Sequence, residues 1–114
     1  MDDCVFCRII AEELPADIVA RGPLTRAFRD TNPQAPVHVL VVPVEHVADV
    51  TEVGAQHGEL LAEMVTTAHQ VAAREGAAEG GYRLVLNVGD DAGNTVPHLH
   101  LHVLGGRRLT WPPG

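Results

Sequence analysis

Positive charge is scarce in this chain. Eight Lys and Arg stand against fifteen Asp and Glu, a formal charge of −7. Contacts to a nucleic-acid backbone need clustered Lys and Arg, so this balance excludes a general nucleic-acid binder. A phosphate-bearing ligand would have to be held by a few local donors. Long apolar runs are missing as well: none approaches the roughly 20 residues of a membrane span. The polar start MDDCVFCRII also has no signal-peptide n-region. We therefore expect a cytoplasmic protein with no membrane partner. Cysteine is limited to Cys4 and Cys7, in a CxxC. In a reducing compartment that spacing suggests a redox pair or half of a metal site rather than a structural disulfide. There is no internal repeat, linker or low-complexity tract, and 114 residues allow one domain with a modest core, not two.

What is present alternates between strand and helix patterns. CRIIAEELPAD reads as a short N-terminal turn or helix stopped near Pro15. IVAR and TRAFRD read as two short strands joined across Gly22 and Pro23, and PVHVLVVP as a strong strand bounded by Pro36 and Pro43. From about Ala55 to Arg74, Leu60, Leu61, Met64, Val65, Ala68, Val71 and Ala72 follow i, i+3, i+4 spacing, which predicts one long amphipathic helix. YRLVLNV is another strand, GDDAGNT a polar loop, and HLHLHVL the last strand. This order predicts an α+β fold, an antiparallel sheet packed by one main helix.

The last of these strands carries His98, His100 and His102 on one face, with Leu99, Leu101 and Val103 on the other. Successive rings on a regular strand would be roughly 6.5 to 7 Å apart. Three readings are open: a half-exposed polar face, a chelating His-x-His pair, or a neutral imidazole acting as nucleophile. One metal ion cannot easily be reached by all three rings, so at least one histidine is left for other work. His57 and His69 lie in or beside the long helix with no partner pattern and read as surface residues.

Taken together, CVFCRII, LPADIV, AFRDTNPQAPVHVLVVPVEH, GYRLVLNVG, PHLHLHVLGGR and the terminal WPPG resemble the histidine-triad (HIT) family, specifically its Hint branch, nearly end to end. The resemblance implies a single HIT domain over residues 1–114, with a five-stranded antiparallel sheet, one long helix and a short N-terminal helix. It also implies a homodimer whose two sheets form one ten-stranded sheet. The implied activity is that of a nucleotide hydrolase or transferase acting at the α-phosphate of purine nucleoside phosphoramidates or aminoacyl-adenylate-type substrates, through a nucleotidyl-histidine intermediate. His100 matches the family's nucleophile and His102 its phosphate-contacting histidine. His98 is the first member of the triad, and His38 matches the supporting histidine of the neighbouring strand.

By the same resemblance, Asp30 matches the carboxylate that accepts from the ribose hydroxyls, and Asn87 an asparagine on the sugar-phosphate side. Val5, Phe6 and Phe28 match the apolar clamp around the base. Gly93, Asn94 and Thr95 precede the triad, where backbone N–H groups and a hydroxyl could meet phosphoryl charge. The family usually has serine where Thr95 stands and an acidic residue where Val88 stands. Trp111 belongs to a tail that crosses the two-fold interface in the Hint branch. In some bacterial relatives a structural zinc is held as Cys4, Cys7, His46 and His98 could hold it. The competing reading is two reduced cysteines packed as small hydrophobes. Two alternatives to phosphoramidate hydrolysis remain: dinucleoside polyphosphate hydrolysis, against which the WPPG tail speaks, and a non-catalytic purine-nucleotide sensor or interaction protein.

Overall fold

The computed structural model describes residues 4–114; residues 1–3, part of the polar start, lie outside the described residues. Helix α1 (Val5–Ile10) precedes strands β1 (Ile18–Arg21), β2 (Thr25–Arg29) and β3 (Val37–Pro43). Helix α2 (Gly58–Arg74) then leads to β4 (Tyr82–Val85) and β5 (Leu101–Gly105). The five strands form one antiparallel sheet in the order β1-β2-β3-β5-β4.

The β-branched run of β3 makes it the strand buried on both faces: all seven of its residues are buried. Alternation then sorts the sheet. On one face Ala27, Val39, Val41, Leu101 and Val103 pack against Leu60, Met64, Ala68 and Val71 of α2. On the other, Phe28, Leu40 and Val42 are covered by Phe6 and Ile9 of α1. Leu40 pairs with His102, so His102 and, two residues before Leu40, His38 belong to the α1 face. Met64 is fully buried at the centre of the α2 face. Met64→Ala should therefore cost roughly 2 to 5 kcal/mol of stability in denaturant unfolding, with the folded chain retaining its secondary structure by circular dichroism.

A six-residue helix is too short to stand on propensity alone. Its N-terminus is capped by Cys4 Sγ, which accepts from the Cys7 N–H at 3.3 Å, and its apolar side is held by Phe28 and Leu40. No helix among the described residues is long and apolar enough to cross a membrane.

Three details differ from the sequence expectation. The long helix begins at Gly58; Ala55–His57 form a 3-10 turn between Gly54 and Gly58, two residues that weaken a helix start. The histidine segment enters the sheet only at Leu101, because the Leu99 N–H donates to the Val47 carbonyl at 2.6 Å and the His98 N–H to Val96 at 2.9 Å. Without that partner β4 stops at Val85. Finally, His57 is half-buried rather than a surface residue and accepts the Gly54 N–H at 3.1 Å, whereas His69 is exposed, with its ring meeting the Tyr82 hydroxyl.

Candidate active site

The departure of residues 98–100 from the ladder decides where the three rings go. Leu99, Leu101 and Val103 stay in the α2-side core. The rings of His98 and His100 both meet the edge of Phe6 on the α1 side, with centroids 5.8 and 5.2 Å away. His100 and His102 are 5.0 Å apart by ring centroids, closer than a regular strand would hold them. The rings share a face but not an environment.

His98 is fully buried, and its Nε2–H donates to the Pro43 carbonyl at 3.0 Å. Nδ1 therefore carries the lone pair, and it lies 3.3 Å from Cys4 Sγ and 3.5 Å from Cys7 Sγ. His46 Nδ1 lies 3.3 Å from Cys7 Sγ, and the four donor atoms all fall within 4.8 Å of one another. Zinc bonds of about 2.3 Å to sulfur and about 2.05 Å to nitrogen give a tetrahedral S···N edge of about 3.6 Å. The chain's own spacings fit that figure, and the carbonyl-bound Nε2–H of His98 is the usual outer partner of a ligating imidazole. Burial lowers the His98 pKa and so keeps the ring neutral, as a ligand must be. Burial also raises the Cys7 thiol, with Cys4 adding to the effect. A cation among the four donors would reverse that. Cys4, Cys7, His46 and His98 are thus positioned to hold a metal ion.

The carbonyl of His98 accepts from His100 Nδ1–H at 2.7 Å. That bond fixes the tautomer and leaves His100 Nε2 without a partner among the described residues. The third group is set from the backbone as well. The Gln34 N–H donates to His38 Nδ1 at 3.0 Å, so the proton of His38 is on Nε2. His38 Nε2–H points at His102 Nδ1, 2.9 Å away, which makes His102 the acceptor there and puts its own proton on Nε2. Asp30 Oδ2 lies 3.4 Å from the same His38 nitrogen. Burial lowers the pKa of His38, against the pull of Asp30. His102 is pushed down to about 4, first by burial and then by His100 and His38. Both rings are neutral at pH 7. His102 Nε2 is buried with no partner, a donor waiting for an acceptor.

These groups open on a cleft of about 530 Å³. Val5, Phe6 and Phe28 form an apolar wall, and Asp30, Asn87, Gly93, Thr95, His100 and His102 line the cleft as well, with Asp30 beside the His38–His102 pair. His38 lies behind His102, His98 belongs to the cysteine cluster, and Trp111 is 81% exposed on the tail, away from the cleft. One expectation needs correction. The N–H groups of Gly93 and Asn94 are not free for a phosphate: they donate to Asp90 and Gly89 carbonyls at 2.9 and 3.1 Å, closing the turn that the left-handed Gly93 ends. Thr95 has no such bond, and Asn94 buries Oδ1 without a partner. Sequence reasoning missed Ile9 and Leu40, which complete the apolar wall. Helical spacing from Val5 and Phe6 to Ile9, and strand alternation from His38 to Leu40, were the available signals. The Gln34 amide carries no such signal.

The HIT domain family model matches residues 11–109. A HIT-like protein of Synechococcus elongatus is 51% identical over 113 residues, 99% of this chain and 98% of that one. The purine nucleoside phosphoramidase of Escherichia coli K12 is 44% identical over 108 residues, 95% of this chain and 91% of the relative. Among solved structures, a HIT family hydrolase from Legionella pneumophila superposes with a TM-score of 0.95 at 47% identity, covering 98% of this chain and 100% of that one. A HIT family hydrolase from Clostridium thermocellum follows with 0.94 and 45%, covering 96% of each. With the histidine row, its supporting ring on β3 and the five-stranded sheet all in place, the chain belongs to the HIT family.

Proposed function

We propose that this chain hydrolyses purine nucleoside 5′-phosphoramidates, and related aminoacyl-adenylate-type substrates, through a nucleotide bound covalently to His100. The observation that carries this reading is the 2.7 Å bond from His100 Nδ1–H to the His98 carbonyl. It commits one ring nitrogen to the backbone and leaves Nε2 as an oriented nucleophile at the cleft. Nε2 attacks the α-phosphorus, the leaving nitrogen takes up a proton from solvent as the P–N bond breaks and departs as the amine, and an N–P bond to His100 forms; the water of the second step gives that proton back. Water then attacks that phosphorus and returns the imidazole. His102 Nε2–H is the donor for the phosphoryl oxygens, and it suits a net-acidic chain because a neutral ring supplies it. Thr95 also lines the cleft, and its hydroxyl is a further donor for the phosphoryl group.

The apolar wall of Val5, Phe6, Ile9, Phe28 and Leu40 supports a flat base, and Asp30 supports a ribose. The name of the Escherichia coli relative supports the purine and the P–N bond. We read Cys4, Cys7, His46 and His98 as a structural zinc site; four protein ligands leave no open position, so it would cross-link α1 to the histidine segment rather than act on substrate. We further read residues 1–114 as one cytoplasmic HIT domain. It would pair with a second copy into a ten-stranded sheet, the exposed Trp111 then lying against the partner.

The test is to mix the protein with adenosine 5′-monophosphoramidate and quench in base, where a phosphohistidine survives. The expected result is a nucleotidyl adduct on the peptide containing His100. Turnover with the adduct on another residue, or no turnover at all, would overturn the reading.

A further inference from the structure

The donor that His102 offers to the cleft depends on a proton three residues removed from any substrate. His38 keeps its proton on Nε2 while the Gln34 N–H occupies Nδ1, with the Asp30 carboxylate 3.4 Å from Nε2 favouring the same tautomer. That N–H belongs to the connection between β2 and β3, where Pro33 and Pro36 flank Gln34 and can donate nothing. The carbonyl of the same residue is gripped from outside: Arg107 Nη2 donates to the Gln34 carbonyl at 2.9 Å, while Nη1 donates to the Arg108 carbonyl at 3.0 Å. Gly106 makes the grip possible. Its φ is +86°, and a Cβ there would come within 2.9 Å of Pro36 Cβ, so only glycine lets the end of β5 close on this loop and set Arg107 over Gln34.

We propose that Arg107 is a positioning residue that sets the tautomers of His38 and His102 through the Gln34 carbonyl. Arg107 grips the Gln34–Ala35 peptide by its carbonyl, and the charged donor fixes the Gln34 main chain, so that the N–H of the preceding Pro33–Gln34 peptide stays aimed at His38. When the grip is lost, the Gln34 main chain is free to shift and its N–H to leave His38 Nδ1. His38 then exchanges its proton to Nδ1, and its bare Nε2 accepts from His102 Nδ1–H. Each ring still carries one proton, and no charge changes. What changes is the buried Nε2 of a ring that lines the cleft: on His102 it turns from a donor into a lone pair, which repels a phosphoryl oxygen. A guanidinium outside the cleft thereby decides whether the cleft can hold an anion. The link to phosphate rests on the function proposed above; the tautomers themselves do not.

Long-range proton–nitrogen NMR of the histidine rings reads this directly, since protonated and bare imidazole nitrogens have separate shifts. In the unchanged protein His102 should show a protonated Nε2 and a bare Nδ1. Arg107→Met should mix the two tautomers at His38 and His102 and lower kcat/KM for adenosine 5′-monophosphoramidate by roughly tenfold, as for loss of one hydrogen bond to a charged group. Arg107→Lys should restore most of both. Arg108→Met, which removes the neighbouring charge, should alter neither. Tautomers that stay put in Arg107→Met overturn the proposal whatever the rate does. A tautomer mixture with an unchanged rate overturns it too. If the unchanged protein turns over no phosphoramidate, the proposed function falls, while the NMR result still decides the role of Arg107.

Discussion

His100→Ala should abolish turnover of adenosine 5′-monophosphoramidate, with a loss in kcat on the order of 10⁴ to 10⁶. A nucleophile removed from a two-step displacement takes the covalent route with it, because no second ring can substitute. His98 is buried with Nε2 on the Pro43 carbonyl and Nδ1 among the thiols. His102 has its one lone pair pointed at His38 and its proton on the buried Nε2. The geometry therefore allots one nucleophilic nitrogen to the row. Binding of AMP should change only a few-fold, since the apolar wall and Asp30 are untouched. Single-turnover kinetics and AMP titration make the comparison. A His100→Ala rate within tenfold of the unchanged protein would remove His100 from the chemistry.

Loss of metal should have the largest effect on stability. A metal present at about 1,000 times its dissociation constant contributes about 4 kcal/mol, which for a chain of this size corresponds to a melting shift of roughly 10 °C or more. Chelation should produce that shift and should unprotect the amides of α1 first in hydrogen exchange. The helix is only six residues long and carries two of the four donors at or beside its N-terminus. Cys4→Ser with Cys7→Ser should melt early and respond to no chelator. Elemental analysis of protein purified without added metal gives the independent check. A metal content near zero, together with a melting curve indifferent to chelator, would leave two cysteines packed as small hydrophobes.

Periodicity carried most of the architecture. The helical spacing of Leu60, Met64, Ala68 and Val71 and the β-branched run of β3 each have a single burial solution. Alternation in HLHLHVL likewise put all three rings on one side. What alternation could not carry was the break at Leu101, which depends on a carbonyl at Val47, far away in sequence. CxxC gave half a metal site; only the fold brings His46 and His98 to it. The loop before the triad shows the same limit from the other side. Glycine and asparagine suggest free N–H groups, but the turn uses those of Gly93 and Asn94 to close itself. Protonation was the least legible of all. The tautomers of His38, His98, His100 and His102 follow from backbone atoms of Gln34, Pro43 and His98, and backbone atoms leave no mark on a sequence.

The strand order has a consequence for how the chain is made. β5, built from Leu101–Gly105, is inserted between β3 and β4 rather than added at an edge. During synthesis the earlier strands must wait with a gap in the sheet until almost the entire chain has emerged, and contacts of such long sequence separation form slowly. Until then β3 presents an apolar, unpaired edge, an invitation to aggregation. A chain cut short anywhere before residue 102 lacks both a closed sheet and a complete histidine row. Incomplete synthesis therefore yields no half-active enzyme, only a product for quality control to remove.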